Sequence, residues 1–340
     1  MACFSPCDCF VLRNDNSKIK AAQFLLKSHS KKIYLHNNFY QFHHLTMSNI
    51  SLIIEERAAS IGNFMVGRLL PFREKRMVGP FIFIYHMGPV KLTERQSFDV
   101  LPHPHIGLST LTFLFEGSIM HRDTLGTVAE VKPGAVNWMT AGKGIVHSER
   151  MPDHMRNAEQ VFHGLQIWVA LPKDLEQMNP EFFHIDVDQL PAWTDGDLQF
   201  KLVAGEAFGH RSPVPVYSKL FMIEIKSNAT QTVDISHELY GEVGLYILEG
   251  SIENEGNTYH SKQLLVAKES SLCTFTMEAG STIYLFGGEP FPEQRFIDWN
   301  FVATDKELIN QAKQRWLDQT FDKIPGDDTE FVPYPIFNKK

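Results

Sequence analysis

Pro102-His103-Pro104-His105 sets two imidazoles two residues apart. In an extended strand successive side chains alternate, so residues at that spacing share one face. Alone, such a pair is more often two surface or hydrogen-bonded histidines than a metal site. The stretch Ala141-Gly142-Lys143-Gly144-Ile145-Val146-His147-Ser148-Glu149 repeats the spacing with an imidazole and a carboxylate, His147 and Glu149. Two such pairs on neighbouring strands of one barrel would aim four ligands at a point. Three neutral imidazoles and one carboxylate suit divalent iron, copper, nickel or manganese, and zinc can also be held; iron is the first choice. Four protein ligands around an octahedral ion leave two positions open to small molecules. A closed structural zinc site would use more sulfur, and no cysteine stands near these four residues.

Other residues near the motif have simpler readings. His121, His154 and His163 are expected on the surface or standing behind the ligands. Trp138, Met139 and Trp168 have the shape to line a flat aromatic-binding cavity, but in a small barrel the core is their default place. Gln166 is the polar residue in an apolar strand, with a hydrogen bond to offer a ligand or a supporting group. Gly126, Gly142 and Gly144 lack the strand-to-helix context of a phosphate loop and read as turn glycines.

These residues need strands to hold them, and the sequence is rich in strands. From about Asn63, short β-branched and aromatic runs alternate with Gly, Pro, Asn and Asp, as in an all-β sandwich or barrel. Phe81 to Tyr85, Leu111 to Phe115, Val136 to Thr140, Gly164 to Ala170, Leu220 to Ile225, Gly244 to Leu248 and Ser281 to Phe286 are such runs. One helix is expected near the end, where Thr304-Asp305-Lys306-Glu307 reads as a capping box ahead of Leu308, Ile309, Ala312, Arg315 and Trp316. Leu114-Phe115-Glu116-Gly117-Ser118-Ile119 returns 133 residues later as Ile247-Leu248-Glu249-Gly250-Ser251-Ile252. Each copy reads as the turn of a hairpin, within one of two similar all-β stretches. We therefore expect two tandem β-barrels: a metal-binding one over 47–175, a linking segment over 176–215, and a second barrel with the helix over 216–340.

Residues 1–46 have no clean period, with six Lys or Arg against two Asp, and are expected to be a disordered extension. Cys3, Cys7 and Cys9 crowd this tail at a spacing that matches no common zinc site, and Cys273 stands alone, so no disulfide framework is expected. A reducing, cytoplasmic setting fits that usage. The 340 residues suffice for about two domains. A net charge of −8 disfavours direct binding to nucleic acid or anionic membrane, and no run is apolar enough to span a bilayer. A monomer is expected.

The set formed by Pro102-His103-Pro104-His105 with Gly107, Phe115-Glu116-Gly117, His121-Arg122-Asp123, Pro133-Gly134, Trp138-Met139-Thr140-Ala141-Gly142 and His147-Ser148-Glu149 resembles the pirin family. Leu165-Gln166-Ile167-Trp168-Val169 and Trp299-Asn300-Phe301-Val302 extend the likeness, which runs from about Asn63 to Phe337. It implies two tandem cupin barrels, the first holding one metal ion, Fe(II), through His103, His105, His147 and Glu149, the second without metal. Under an ungapped shift, Ser236, Glu238, Gly280 and Thr282 replace the four ligands, and His237 is out of phase, on the opposite face of a strand. The resemblance further implies a dioxygenase that opens the central ring of a flavonol such as quercetin with O2 and releases carbon monoxide. Glu149 would then be ligand and proton acceptor together. The alternative it implies is a non-enzymatic, iron-binding redox sensor that acts through a protein partner. The chain departs from the family pattern at Ile106-Gly107-Leu108-Ser109, where members commonly have Arg-Gly-Phe-Glu, and at Tyr85, where an acid is more usual.

Overall fold

The computed structural model describes residues 49–61, 64–268, 272 and 274–335. The extension 1–46, Cys3, Cys7, Cys9, Cys273 and the outer limits of the family likeness at Asn63 and Phe337 lie outside the described residues. The fold is all-β with one α-helix, Lys306–Leu317.

Each half is a large antiparallel sheet facing a four-stranded one. In the first half the large sheet runs Glu181–Ile185, Val136–Thr140, Leu108–Glu116, Gln160–Ala170, Phe81–Leu92, Phe64–Leu70, Arg57–Ile61, and the small one Asp99–His105, Ile145–Arg150, Ile119–Asp123, Val128–Val131. Leu108, Leu114, Phe162 and Trp168 of the large sheet share a core with Ile119 and Val131 of the small one. The alternate residues of the same strands, Leu111, Phe113, Leu165 and Ile167, pack outward onto Met222, Tyr246, Tyr284 and Phe286 of the second half. The two large sheets thus lie back to back between the two small ones. Strands buried on both faces need apolar residues at successive positions, which is why these runs are nearly continuous rather than alternating.

Chain segments cross between the halves. Ile50–Glu55 pairs with Gln263–Ala267 in the second large sheet, and the next strand, Arg57–Ile61, pairs with Phe64–Leu70 in the first. The segment 176–215 supplies Glu181–Ile185 to the first large sheet and Ala192–Asp195 and Leu198–Ala207 to the second. The terminal helix returns to the first half: its Ile309, Ala312 and Trp316 join a core with Ile106 and Val146. Ahead of it, Phe301 bridges Ile106 in parallel, and a Cβ on Gly107 would stand 1.9 Å from Val302 O, so only glycine admits this approach.

Three local expectations change. The repeated Glu-Gly segments are not hairpin turns: each carries the chain from a large sheet to the small one facing it, from Leu108–Glu116 to Ile119–Asp123 and from Glu242–Glu249 to Ser251–Asn254. Gly117 and Gly250 make that crossing at φ of +83° and +76°, where side chains are strained. Helix capping falls one residue later than expected: Asp305 accepts from Glu307 N, whereas Thr304 donates through its N and Oγ1 to the buried Glu176. His237 lies in a turn at φ +67°, so strand phase does not apply to it.

Candidate metal centre

Strands Asp99–His105 and Ile145–Arg150 are antiparallel neighbours, with His147 opposite His103 and Ile145 opposite His105. Period-two geometry then brings three rings to one interior point. A ligating nitrogen from each of His103, His105 and His147 lies within 4.8 Å of the others, and all three residues are buried. A register shift after His147 turns Glu149 to pair with Val100. Glu149 lines the same cavity, outside this tight group, and its Oε1 accepts a hydrogen bond of 3.2 Å from Thr112 Oγ1.

The electrostatics favour neutral imidazoles with free lone pairs. Burial lowers His103 to about 4, against the opposing pull of its bond to the Leu101 carbonyl. Burial, then repulsion from neighbouring imidazoles, holds His105 and His147 well below the ordinary imidazole range. His103 Nδ1 lies 2.8 Å from Leu101 O and must donate, leaving its Nε2 unprotonated. Asp123 Oδ2, 3.0 Å from His121 Nε2, fixes a proton there, so His121 Nδ1 can accept from His147 Nδ1 at 3.5 Å. His147 Nε2 and His105 Nε2 are buried without a hydrogen-bond partner among the described residues. Such orphaned acceptors are costly in a protein interior unless something fills the point they share. A divalent cation does so, and this donor set suits one.

The cavity beyond the histidines is about 920 Å³, of the size that encloses a small organic molecule. Trp168 meets His105 edge-on at 5.1 Å and stacks on Phe83 at 4.0 Å and 15°, an aromatic pair in the cavity wall. Trp168 therefore lines the cavity, whereas Trp138 and Met139 lie in the core. Gln166 also faces in, its Oε1 2.9 Å from Thr112 Oγ1, so that it and Glu149 share the one hydroxyl proton of Thr112. His121 is buried behind His147; His163 is buried on the far side of the sheet against His86, at 2.8 Å; His154 is exposed beside Glu130. Sequence reasoning missed Arg68 and the distant Asn300, Glu330 and Val332 as parts of this cavity, and Thr112 as the hydroxyl beside Glu149 and Gln166. Thr112 had a local signal: a hydroxyl two residues before Leu114 on the face turned to the ligands.

Comparison with known proteins agrees with this architecture. The pirin family model matches residues 63–169, and the pirin C-terminal cupin domain model matches residues 222–322. A pirin-like protein of Caulobacter vibrioides is 46% identical over 290 residues, 84% of this chain and 99% of its own length. Among solved structures, a quercetin 2,3-dioxygenase from Acinetobacter baumannii superposes with a TM-score of 0.78 at 32% identity, covering 85% of this chain and 96% of its own. A bacterial pirin from Escherichia coli in complex with nickel(II) shares the fold, with a TM-score of 0.56 at 18% identity over 71% of this chain and 99% of its own. With two cupin sandwiches in family order and near-full-length likeness to a pirin-like protein, the chain belongs to the pirin family.

Proposed function

We propose that this protein is a metal-dependent dioxygenase that cleaves a flavonol-like aromatic such as quercetin with O2, using Fe(II) held by His103, His105, His147 and Glu149. The observation that carries the reading is the convergence of three buried, neutral imidazoles at a cavity lined by aromatic rings. The likeness to the A. baumannii quercetin 2,3-dioxygenase supports it. A bound divalent ion supplies Lewis acidity toward a substrate hydroxyl, and iron adds reactivity toward O2.

The chain's own residues perform the rest. The stacked Trp168–Phe83 pair gives the substrate's rings an apolar, aromatic surface beside His105. The apolar lining, Phe64, Met87, Phe98 and Ile119 among it, keeps bulk water away from the reacting edge. Glu149 accepts the substrate's hydroxyl proton on its carboxylate, and Thr112 steadies the other end of that exchange by donating to Oε1. Asp123 and His121 fix the tautomer of His147 and aim its Nε2 inward.

Oxygen consumption tests the reading. Anaerobically iron-loaded protein given quercetin is expected to take up O2, and the His103→Ala protein, with its metal content measured, is expected to lose both metal and uptake. One bound metal per chain with no uptake from quercetin would overturn the proposal and move the weight to a redox-sensing role through a protein partner.

A further inference from the structure

The cavity contains a positive charge that the protein itself leaves without a counter-charge. Arg57 and Arg68 stand directly opposite each other on paired strands Arg57–Ile61 and Phe64–Leu70. Arg68 lines the cavity, lying over the rings of Phe83 and Tyr85 at 5.5 and 5.0 Å, and its Nη2 donates to the Tyr85 hydroxyl. Arg57 Nη2 donates to the carbonyls of Leu69 and Pro71 at 2.9 and 2.8 Å. These acceptors are neutral. The Nε of each arginine is buried with no partner, and among the described residues neither guanidinium has a carboxylate within ion-pair distance.

Arg150 is neutralised by Asp327 and Glu330, and Asp99 by Arg156. Burial raises the Tyr85 phenol, so it remains a neutral acceptor, and burial with the neighbouring Arg68 lowers Arg57, as expected for two cations side by side. Like charges held together in a partly desolvated wall are unfavourable unless an anion joins them. Position supplies the geometry: Trp168 touches His105, Phe83 stacks on Trp168, and Arg68 lies over Phe83. A ligand lying along this stack has one end at the histidines and the other at Arg68.

We infer that Arg68, reinforced by Arg57, is a subsite for an anionic group, so that the preferred substrates are phenolic aromatics with a carboxylate at the end away from the histidines. This rests on the aromatic-substrate reading above and extends it from flavonols, which lack a carboxylate, to anionic phenolics. Caffeate is a suitable probe, with a catechol at one end and a carboxylate at the other, and its neutral amide is the matched control.

Calorimetric titration of the metal-loaded protein is expected to show caffeate binding about tenfold or more tighter than the amide, with the preference shrinking as salt is raised. Arg68→Met is expected to bring the preference to about twofold or less. Tyr85→Asp, which places a carboxylate beside Arg68 in a folded cavity, is expected to do the same while retaining both arginines. Equal binding of the two ligands to the wild type, or a preference that survives both substitutions, overturns the anionic subsite alone. Failure of caffeate, amide and quercetin all to bind overturns it together with the aromatic-substrate reading.

Discussion

Arg150 and Asp327, 177 positions apart, form a two-pronged ion pair: Nε to Oδ2 at 2.8 Å and Nη2 to Oδ1 at 2.6 Å. Ser148 Oγ adds a third bond to Asp327 Oδ2 at 2.7 Å. Ser148 and Arg150 flank Glu149 on the strand that also carries His147, and Asp327 opens the segment that closes the cavity. That segment is tied on by Val332 N to Pro102 O at 2.9 Å and by Trp316 Nε1 to Val332 O at 3.0 Å. The two residues flanking Glu149 thus hold a strap whose Glu330, Val332 and Pro333 form part of the cavity wall.

Removing the latch should loosen the strap before it affects the sheets. Asp327→Ala deletes three charge-assisted or hydroxyl bonds and leaves a partly buried Arg150 guanidinium without its main partner, a loss of about 1–3 kcal/mol. Brief proteolysis should cut the variant near residues 325–335 under conditions in which the parent is intact. Equal resistance in the two proteins would show that Val332 and Trp316 suffice to hold the strap.

The same latch sets an acid limit. Burial would raise the Asp327 carboxyl, but the bonds from Arg150 and Ser148 outweigh it and hold the group below the usual aspartate range. A depressed folded-state value means that stabilisation is complete above the unfolded value, about 3.9, and fades as pH falls through the lower folded one. Asp99, held down by Arg156 and Ser97 against the same burial effect, adds to the slope in that window. Opening of the strap, read by hydrogen exchange of its backbone amides relative to their intrinsic rates at each pH, should therefore rise below about pH 4. In Asp327→Asn it should be high already at neutral pH and change less on acidification. A parent profile flat from neutrality to pH 3 would count against the latch as the acid-sensitive element.

What the sequence disclosed follows from how local the physics is. His103, His105, His147 and Glu149 share a face because strand alternation acts over two residues, and the strands themselves were visible as apolar runs between turn residues. The sheet crossings at Gly117 and Gly250 were not, because a glycine at positive φ serves a hairpin and an inter-sheet connection equally well. Thr304 looked like a cap until its hydroxyl was claimed by Glu176, 128 positions away. Arg68, Val332 and Glu330 reach the cavity through register and chain return, which no short window of sequence encodes.

Metal binding should also be visible as stability. A ligand that binds the folded state alone shifts unfolding by mass action, and the buried, unpartnered nitrogens of His105 and His147 gain the most from it. Chelator-treated protein should unfold at lower temperature than protein reloaded with Fe(II), and His105→Ala should erase most of that difference. An identical melting temperature for stripped, reloaded and His105→Ala protein would mean that the histidines hold no ion.

Glu149 should separate metal binding from turnover. Glu149→Gln keeps the side chain's size and its acceptor toward Thr112 but removes a proton-accepting carboxylate. Metal content should fall modestly while quercetin-dependent oxygen uptake falls about a hundredfold, the scale of a lost general base. Full turnover in metal-loaded Glu149→Gln would remove the carboxylate from the proton transfer and leave it, at most, a ligand.

His121 provides a finer test, because it acts only through His147. With Asp123 fixing a proton on its Nε2, His121 presents Nδ1 as an acceptor and so keeps the His147 proton away from the side that faces the other ligands. His121→Ala leaves His147 free to choose its tautomer and rotate, and metal affinity should weaken about 10- to 100-fold in competition with a chelator. His121→Asn, whose amide oxygen can still accept, should recover part of that loss. Asp123 anchors the relay in turn, its Oδ1 accepting from the backbone N–H groups of Leu125 and Thr127 at 2.9 and 3.1 Å. Asp123→Asn should therefore weaken the metal in the same direction and, combined with His121→Ala, add little to it, since both act on one tautomer. Independent, additive losses would mean that Asp123 works through the loop alone and that His147 is held by packing.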